Sequence, residues 1–376
     1  LGLWFYGNYS DCTQLFKLNQ AADEFKQYPL SYDLNLNLTY KLSQNTNLKY
    51  FLYGVQDEIK SEFDSPTYQG FFDSQNNNIV HNLQLKTTLS QKTSLNTSLS
   101  MNNFNKDFSL SLLRIDTDDN STRLRTDIVT EITKRFSLNY GFELNQTDYA
   151  ITGVHSTIKR DLSPDGNYAD YSQDYNYFHQ GYYLESEYYL SRKLLAITGL
   201  RLDASNYNNE TVIDPRYSLI YKLNDNNSLK IAGGIYHQFP KSQFQYGNYG
   251  GSELQPMQAV HYVTGYEFKN ELINLKSEFY YKDYADLPLE IENQKYNSQG
   301  HGYAYGADFF LKGDLPFISG WLSYSYLKTE RKQLEYNKLV PANYDIRHNF
   351  VAALKKHLPS GQSFSLTYKI HSGKPY

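Results

Sequence analysis

From Tyr32 to Leu42 every second residue is apolar or aromatic (Tyr32, Leu34, Leu36, Leu38, Tyr40, Leu42), and each residue between is polar (Asp33, Asn35, Asn37, Thr39, Lys41). Successive side chains of an extended strand point to opposite sides, so this stretch has one apolar face and one wet face. Wound into a helix, the two sets would mix around the circumference. The pattern recurs in Leu83–Leu89, Phe136–Leu144, Ile273–Tyr281, Tyr303–Leu311 and Phe364–Ile370. Strands of about ten residues or more are twice the usual length in soluble sheets and suit a tilted membrane crossing.

Composition limits how such strands can be used. Mean hydropathy is -0.65, and no stretch approaches the ~18 apolar residues of a membrane helix. A β-barrel escapes that requirement, because its strands show lipid only every second residue and keep polar residues in the lumen. The 376 residues include 38 Tyr and 21 Phe against 2 Trp. Tyr182, Tyr183, Tyr188 and Tyr189 bracket one strand and Tyr280, Tyr281 and Tyr284 crowd another, which predicts aromatic girdles at the headgroup level. A net charge of -4 without a basic tract excludes a nucleic-acid partner. The single Cys12 has no partner for a disulfide or a zinc site.

The connections take turns in length. Short ones, rich in turn-forming residues, fall at Ser43–Asn47, Ser90–Thr93, Thr133–Arg135, Ser191–Lys193, Asn224–Asn227, Lys269–Glu271, Gly313–Phe317 and Leu358–Gly361. Longer polar segments, read as loops, lie at Gln56–Asn78, Phe104–Asn120, Ala150–Asn176, Phe239–Gln258, Ala285–Gly300 and Thr329–Asn343, with a short exception near Tyr207–Asp214. One-sided asymmetry of this kind belongs to outer-membrane barrels, with tight periplasmic turns and long external loops. With Leu1–Asn8 as a further strand, the count is about 17. Single-chain bacterial barrels have even numbers, so an odd total means a truncated barrel or one miscounted strand. The fold expected is an all-β transmembrane antiparallel barrel, residues 1–376, incomplete at both ends.

No catalytic or cofactor motif is present: the chain lacks G-x-S-x-G, H-E-x-x-H and G-x-x-x-x-G-K-[ST]. Asp116, Asp118 and Asn120 stand at the 1, 3 and 5 positions of a calcium loop, with Asp127 at position 12. Ser121 replaces the turn glycine and Asp127 the bidentate Glu, so the segment reads first as an ordinary acidic loop. Of the nine His, His179, His237, His261 and His348 lie near strand ends, where hydrogen bonding at the rim or in the lumen is the expected role. For ligand binding the candidates are Phe244, Tyr246, Asn248 and Tyr249, aromatics and amides among small residues in the loop Phe239–Pro256.

The later half is similar to a known family. Tyr182–Tyr207 (YYLESEYYLSRKLLAITGLRLDASNY), Ile213–Leu223 (IDPRYSLIYKL), Leu229–Pro240 (LKIAGGIYHQFP), Glu253–Phe268 (ELQPMQAVHYVTGYEF), Pro341–Phe350 (PANYDIRHNF) and Ser372–Tyr376 (SGKPY) resemble, in order and spacing, the barrel of TonB-dependent outer-membrane receptors. The resemblance implies a barrel of about 22 strands, closed by strands outside this chain, with a plug domain absent here. It also implies uptake of a scarce siderophore, cobalamin or oligosaccharide-like nutrient across the bacterial outer membrane. The expected partners are outer-membrane lipid, the TonB complex acting through an N-terminal segment outside this chain, and a small-molecule or glycan ligand. The alternative is a passive porin or a barrel adhesin.

Overall fold

The computed structural model describes residues 1–19, 25–158, 161–240, 254–292, 295–316, 318–333 and 336–375. The ligand candidates Phe244, Tyr246, Asn248 and Tyr249 lie outside them. The chain opens with β1 (Gly2–Asp11), a short helix α1 (Thr13–Leu18), β2 (Phe25–Lys41), β3 (Thr46–Ser65), β4 (Tyr68–Ser90) and β5 (Thr93–Leu110). There follow β6 (Leu113–Thr133), β7 (Phe136–Ser156), β8 (Tyr168–Tyr189), β9 (Leu194–Ser205), β10 (Thr211–Asn224), β11 (Asn227–Gln238) and β12 (Met257–Lys269). The chain continues through β13 (Ile273–Glu292), β14 (Lys295–Leu315), β15 (Ile318–Arg331), the two-residue β16 (Val340–Pro341), β17 (His348–His357) and β18 (Ser363–His371).

Each long strand pairs antiparallel with the one before and the one after, in one continuous meander from β1 to β18. Every short connection read from the sequence is a tight turn. Long separations between β11 and β12 and between β15 and β17, the latter holding β16, fall where the sequence puts them, as does the short link after Ser205. Residues 241–253, 334 and 335 lie outside the described ones. Three expected loops are instead hairpins. Gln56–Asn78 is the paired outer end of β3 and β4, with Ser65 opposite Tyr68. Phe104–Asn120 is the hairpin of β5 and β6, with Leu110 opposite Leu113. Ala285–Gly300 is the bulged end of β13 and β14. Beyond the membrane both faces of a strand meet water, so apolar alternation ceases while the backbone ladder continues. Polar composition therefore imitated a loop.

The alternation itself maps onto the two faces. Tyr32, Leu34, Tyr40 and Leu42 are exposed on the outside, as are Leu83, Leu99, Leu184, Leu200, Ile213, Leu219, Ile231 and Phe279 farther round the wall. The tyrosine clusters divide by the same period of two. Tyr182, Tyr188 and Tyr281 are exposed on the lipid side, whereas Tyr183 turns inward to donate a hydrogen bond to Asp127 and Tyr284 turns inward under Arg331.

On β4, Leu83 faces out and its neighbour Gln84 faces in. A Leu83→Lys change should cost about 2–4 kcal/mol and Gln84→Lys under about 1 kcal/mol, because only the first puts a charge into hydrocarbon. Reversible urea unfolding in phospholipid vesicles measures both, and equal losses would contradict the assignment of faces.

Candidate functional site

The inward face of β6 to β12 carries the densest chemistry. Residues two apart on a strand share a side, and three such pairs join an arginine to an aspartate: Arg125 with Asp127, Arg201 with Asp203, and Asp214 with Arg216. Asp345 and Arg347, in the connection before β17, pair at the same spacing. The ladder then aligns these pairs sideways. Arg125 stands opposite Glu143, Glu143 opposite Gly181, Gly181 opposite Asp203, and Arg201 opposite Asp214.

Arg125 holds Asp127 through Nε (3.0 Å and 3.1 Å) and Nη2 (2.9 Å), and reaches Glu143 at 3.4 Å through Nη1. Arg201 grips Asp203 with two bonds of 2.6 Å, and His179 Nε2 lies 3.0 Å from the same carboxylate. Gly181 makes room for this fork. A Cβ there would lie 2.5 Å from Arg201 Nη2 and 2.6 Å from Asp203 Oδ1. Asp214, only 1% exposed, receives Arg216 Nη2 at 3.3 Å, the His237 backbone N–H at 3.1 Å and His237 Nδ1 at 2.6 Å. His237 Nε2 in turn meets Gln258 Nε2 at 3.0 Å, a contact that makes Nε2 the acceptor and Nδ1–H the donor to Asp214. Arg216 also lies over the Tyr236 ring at 4.4 Å, and Tyr236 stacks on His261. Asp345 accepts from Arg347 at 3.0 Å and from the buried Thr329 N–H at 3.2 Å.

The buried carboxylates of Asp203, Asp214 and Asp345 are thus each matched to an arginine two residues away. Such pairs are close to neutral in net stability when intact and costly when one partner is lost. Their use is to hold side chains in one geometry along a wall that must be polar without being loose.

Aromatic groups rim the outer end. Tyr149 is 7% exposed and packs on Tyr175. The Tyr207 hydroxyl, in the link after β9, is pushed up to about 12 by burial and by the neighbouring Tyr175 and Tyr177. Arg331 lies between the rings of Tyr284 and Tyr344, at 5.1 Å and 4.8 Å, with no ion pair among the described residues. The two ends of the connection 239–256 dock on this region. Phe239 packs edge-on against His179, while the Leu254 carbonyl accepts from Asn208 at 3.1 Å and Leu254 itself is 1% exposed. The described ends of the segment picked from the sequence thus meet His179 and Asn208, and its candidate residues lie outside the described ones.

Asp116, Asp118 and Asn120 do not form a loop. They lie in β6, where residues four apart are separated by about 13 Å, too far to share one cation. Their side chains are engaged across the ladder, Asp118 accepting from Asn105 and Asn120 from Asn103 at 2.8 Å. Burial, together with Asp107 opposite, raises the Asp116 carboxyl above the ordinary range. Among the described residues no group of three or more His, Cys, Asp or Glu could hold a metal ion. His179 and His237 take the hydrogen-bonding role expected of them. The arginine–aspartate pairs were missed, although spacing of two between opposite charges in Arg201-Leu-Asp203, Asp214-Pro-Arg216 and Asp345-Ile-Arg347 was there to be read.

The sequence matches the family described as TonB dependent receptor-like, beta-barrel over residues 2–371. Among curated proteins none matches. Solved structures with the same fold include the siderophore receptor PiuA from Acinetobacter baumannii, with TM-score 0.72 and 12% identity over 93% of this chain and 66% of that one. The siderophore receptor PirA from Pseudomonas aeruginosa gives 0.73 and 13%, over 99% and 66%. The copper transporter OprC gives 0.74 and 12%, over 98% and 62%. The chain thus spans two thirds or less of the length of these structures.

Replacing Asp214 by Ala strands both Arg216 and His237 and should destabilise the protein by about 3–5 kcal/mol, whereas Asp214→Asn, which keeps an acceptor, should cost less. Guanidinium unfolding of the detergent-refolded protein reads the difference. Equal costs would show that the carboxylate charge is immaterial.

Proposed function

The chain belongs to the family of TonB-dependent receptor-like β-barrels, and on that premise we propose that it is the wall of an outer-membrane receptor that takes up a scarce nutrient with energy supplied through TonB. The observation that carries the reading is the width of the wall. Among the described residues, seventeen long strands run in one in-register sheet, and β1 and β18 each have a partner on one side only. An edge with free N–H and C=O groups is not tolerated in hydrocarbon. We therefore take the barrel to be closed by further strands of the same protein.

A barrel of that size has a lumen its own side chains cannot fill, so it is either a water channel or is plugged. We take it to be plugged, a reading supported by the family to which the chain belongs. Transport then requires the plug to move, which needs energy, and the lumen wall would hold its paired charges fixed while cargo passes. We assign recognition to the outer rim around Tyr149, Tyr207 and Arg331, together with Phe244, Tyr246, Asn248 and Tyr249, which lie outside the described residues. Among siderophores, cobalamin and oligosaccharides we put a siderophore first, the likeness of fold to the siderophore receptors PiuA and PirA supporting that order.

The test is uptake by cells carrying or lacking the gene, with radiolabelled ferric siderophores, cobalamin and oligosaccharides. Accumulation of one class should depend on the gene and collapse when a protonophore discharges the inner membrane. Gene-dependent uptake that ignores the protonophore would replace this reading with the passive porin.

A further inference from the structure

The outward face of β3 to β8 changes character along the strands. Nearer the tight turns, Leu83, Leu99, Leu124 and Leu144 stand in one register row. Farther out, the row through Ile79 runs on to Asn103, Asn120, Asp148 and Asn176, and the next row takes Gln56 to Asn77, Asn105 and Asp118. These polar side chains bond one another across the outside of the barrel. Asn103 donates to Asn120 at 2.8 Å, Gln146 to Asn176 at 2.7 Å, Asn105 to Asp118 and Asn176 to Asp148. At about 3.4 Å per residue and a tilt of about 40°, the ladder begins about 25–35 Å from the tight turns, at the upper limit of an apolar band about 25 Å tall. It stands where lipid headgroups begin.

Next to it lies a hollow. Gly54 faces outward with nothing within 4 Å of where a Cβ would be, and a space of about 490 Å³ opens there, lined by Tyr9, Tyr32, Leu34, Gln56, Asn77 and Ile79. Its floor is apolar and its upper edge is the amide pair Gln56 and Asn77, so the hollow leads from hydrocarbon to ladder.

We infer that this ladder and hollow form a site for a glycolipid of the leaflet on the long-connection side, with the sugar headgroup on the amides and part of an acyl chain in the hollow. The chemistry selects the headgroup. Each amide offers two N–H donors and an acceptor oxygen, and one internal bond leaves the rest pointing outward. The carboxylates of Asp118 and Asp148 accept from hydroxyl donors and repel a bare phosphate. On this face the cations Lys60 and Arg114 come only farther along, and Lys60 is held by Asp73 at 2.7 Å. The border on β13 to β15 is built differently, from stacked Tyr281, Tyr303 and Tyr305 with Lys328 paired to Glu330.

The whole protein, refolded into micelles containing equal amounts of monoglucosyl diacylglycerol, phosphatidylcholine and phosphatidylglycerol, tests this by native mass spectrometry of the retained lipids. The glycolipid should be retained about threefold or more over phosphatidylcholine, and the ratio should fall to about one in the Asn103→Leu, Asn120→Leu, Asn176→Leu protein. Gly54→Leu, which fills open space and keeps the amides, should lower glycolipid retention several-fold with unchanged far-UV circular dichroism; it also serves should the triple variant fail to fold. Equal retention of the three lipids, a preference for phosphatidylglycerol, or a glycolipid preference untouched by Gly54→Leu would each overturn the site. The assay contains neither cargo nor energy source, so it stands or falls independently of the uptake reading.

Discussion

Everything in this protein depends on pairing the backbone where water is absent. In hydrocarbon an unsatisfied N–H or C=O costs several kcal/mol, so each strand must find a neighbour along its whole crossing. The register from β1 to β18 meets that need almost without interruption, with shifts confined mostly to turns and to the bulged outer end of β13 and β14. Because the ladder is so strongly determined, side chains are free to serve two solvents at once. Each residue faces lipid or lumen according to parity alone.

The two faces solve different problems. The outer one is apolar up to the headgroup level and then turns polar, as its surroundings do. The inner one must carry charge without leaving any of it unpaired in a confined space. Placing aspartate and arginine two residues apart on β6, β9 and β10 matches each of these carboxylates from its own strand, and the ladder then brings Arg125 to Glu143 and Arg201 to Asp214 with no further adjustment. Gly181 shows how closely this is fitted, since the missing side chain is the space that the Arg201 guanidinium occupies. The wall is in this sense a fitted frame, its charges held by short hydrogen bonds.

The outer rim is assembled from connections far apart in the sequence. Phe239 and Leu254, at either end of one long connection, reach His179 and Asn208, while Tyr344 from another reaches Arg331. Loops can vary in sequence without disturbing the wall where their contacts to it lie at the ends of strands.

The sequence by itself determined the strand periodicity, the tight turns, the absence of membrane helices and the lipid side of Tyr32–Leu42. All of these are local, since a period of two and a turn-forming residue need no partner to be recognised. It did not reveal that Gln56–Asn78, Phe104–Asn120 and Ala285–Gly300 are hairpins, because outside the membrane hydrogen bonding persists after apolar alternation has stopped. Nor did it distinguish Tyr183 from Tyr182 in purpose, or remove Asp116 and Asp118 from a supposed calcium loop. The pairs Arg201–Asp203 and Asp214–Arg216 were legible as charges two apart, but their meeting across β9 and β10 was not. Only the tertiary structure decided those matters, because register is a relation between strands, and it sets which residues share a row, a face and a depth.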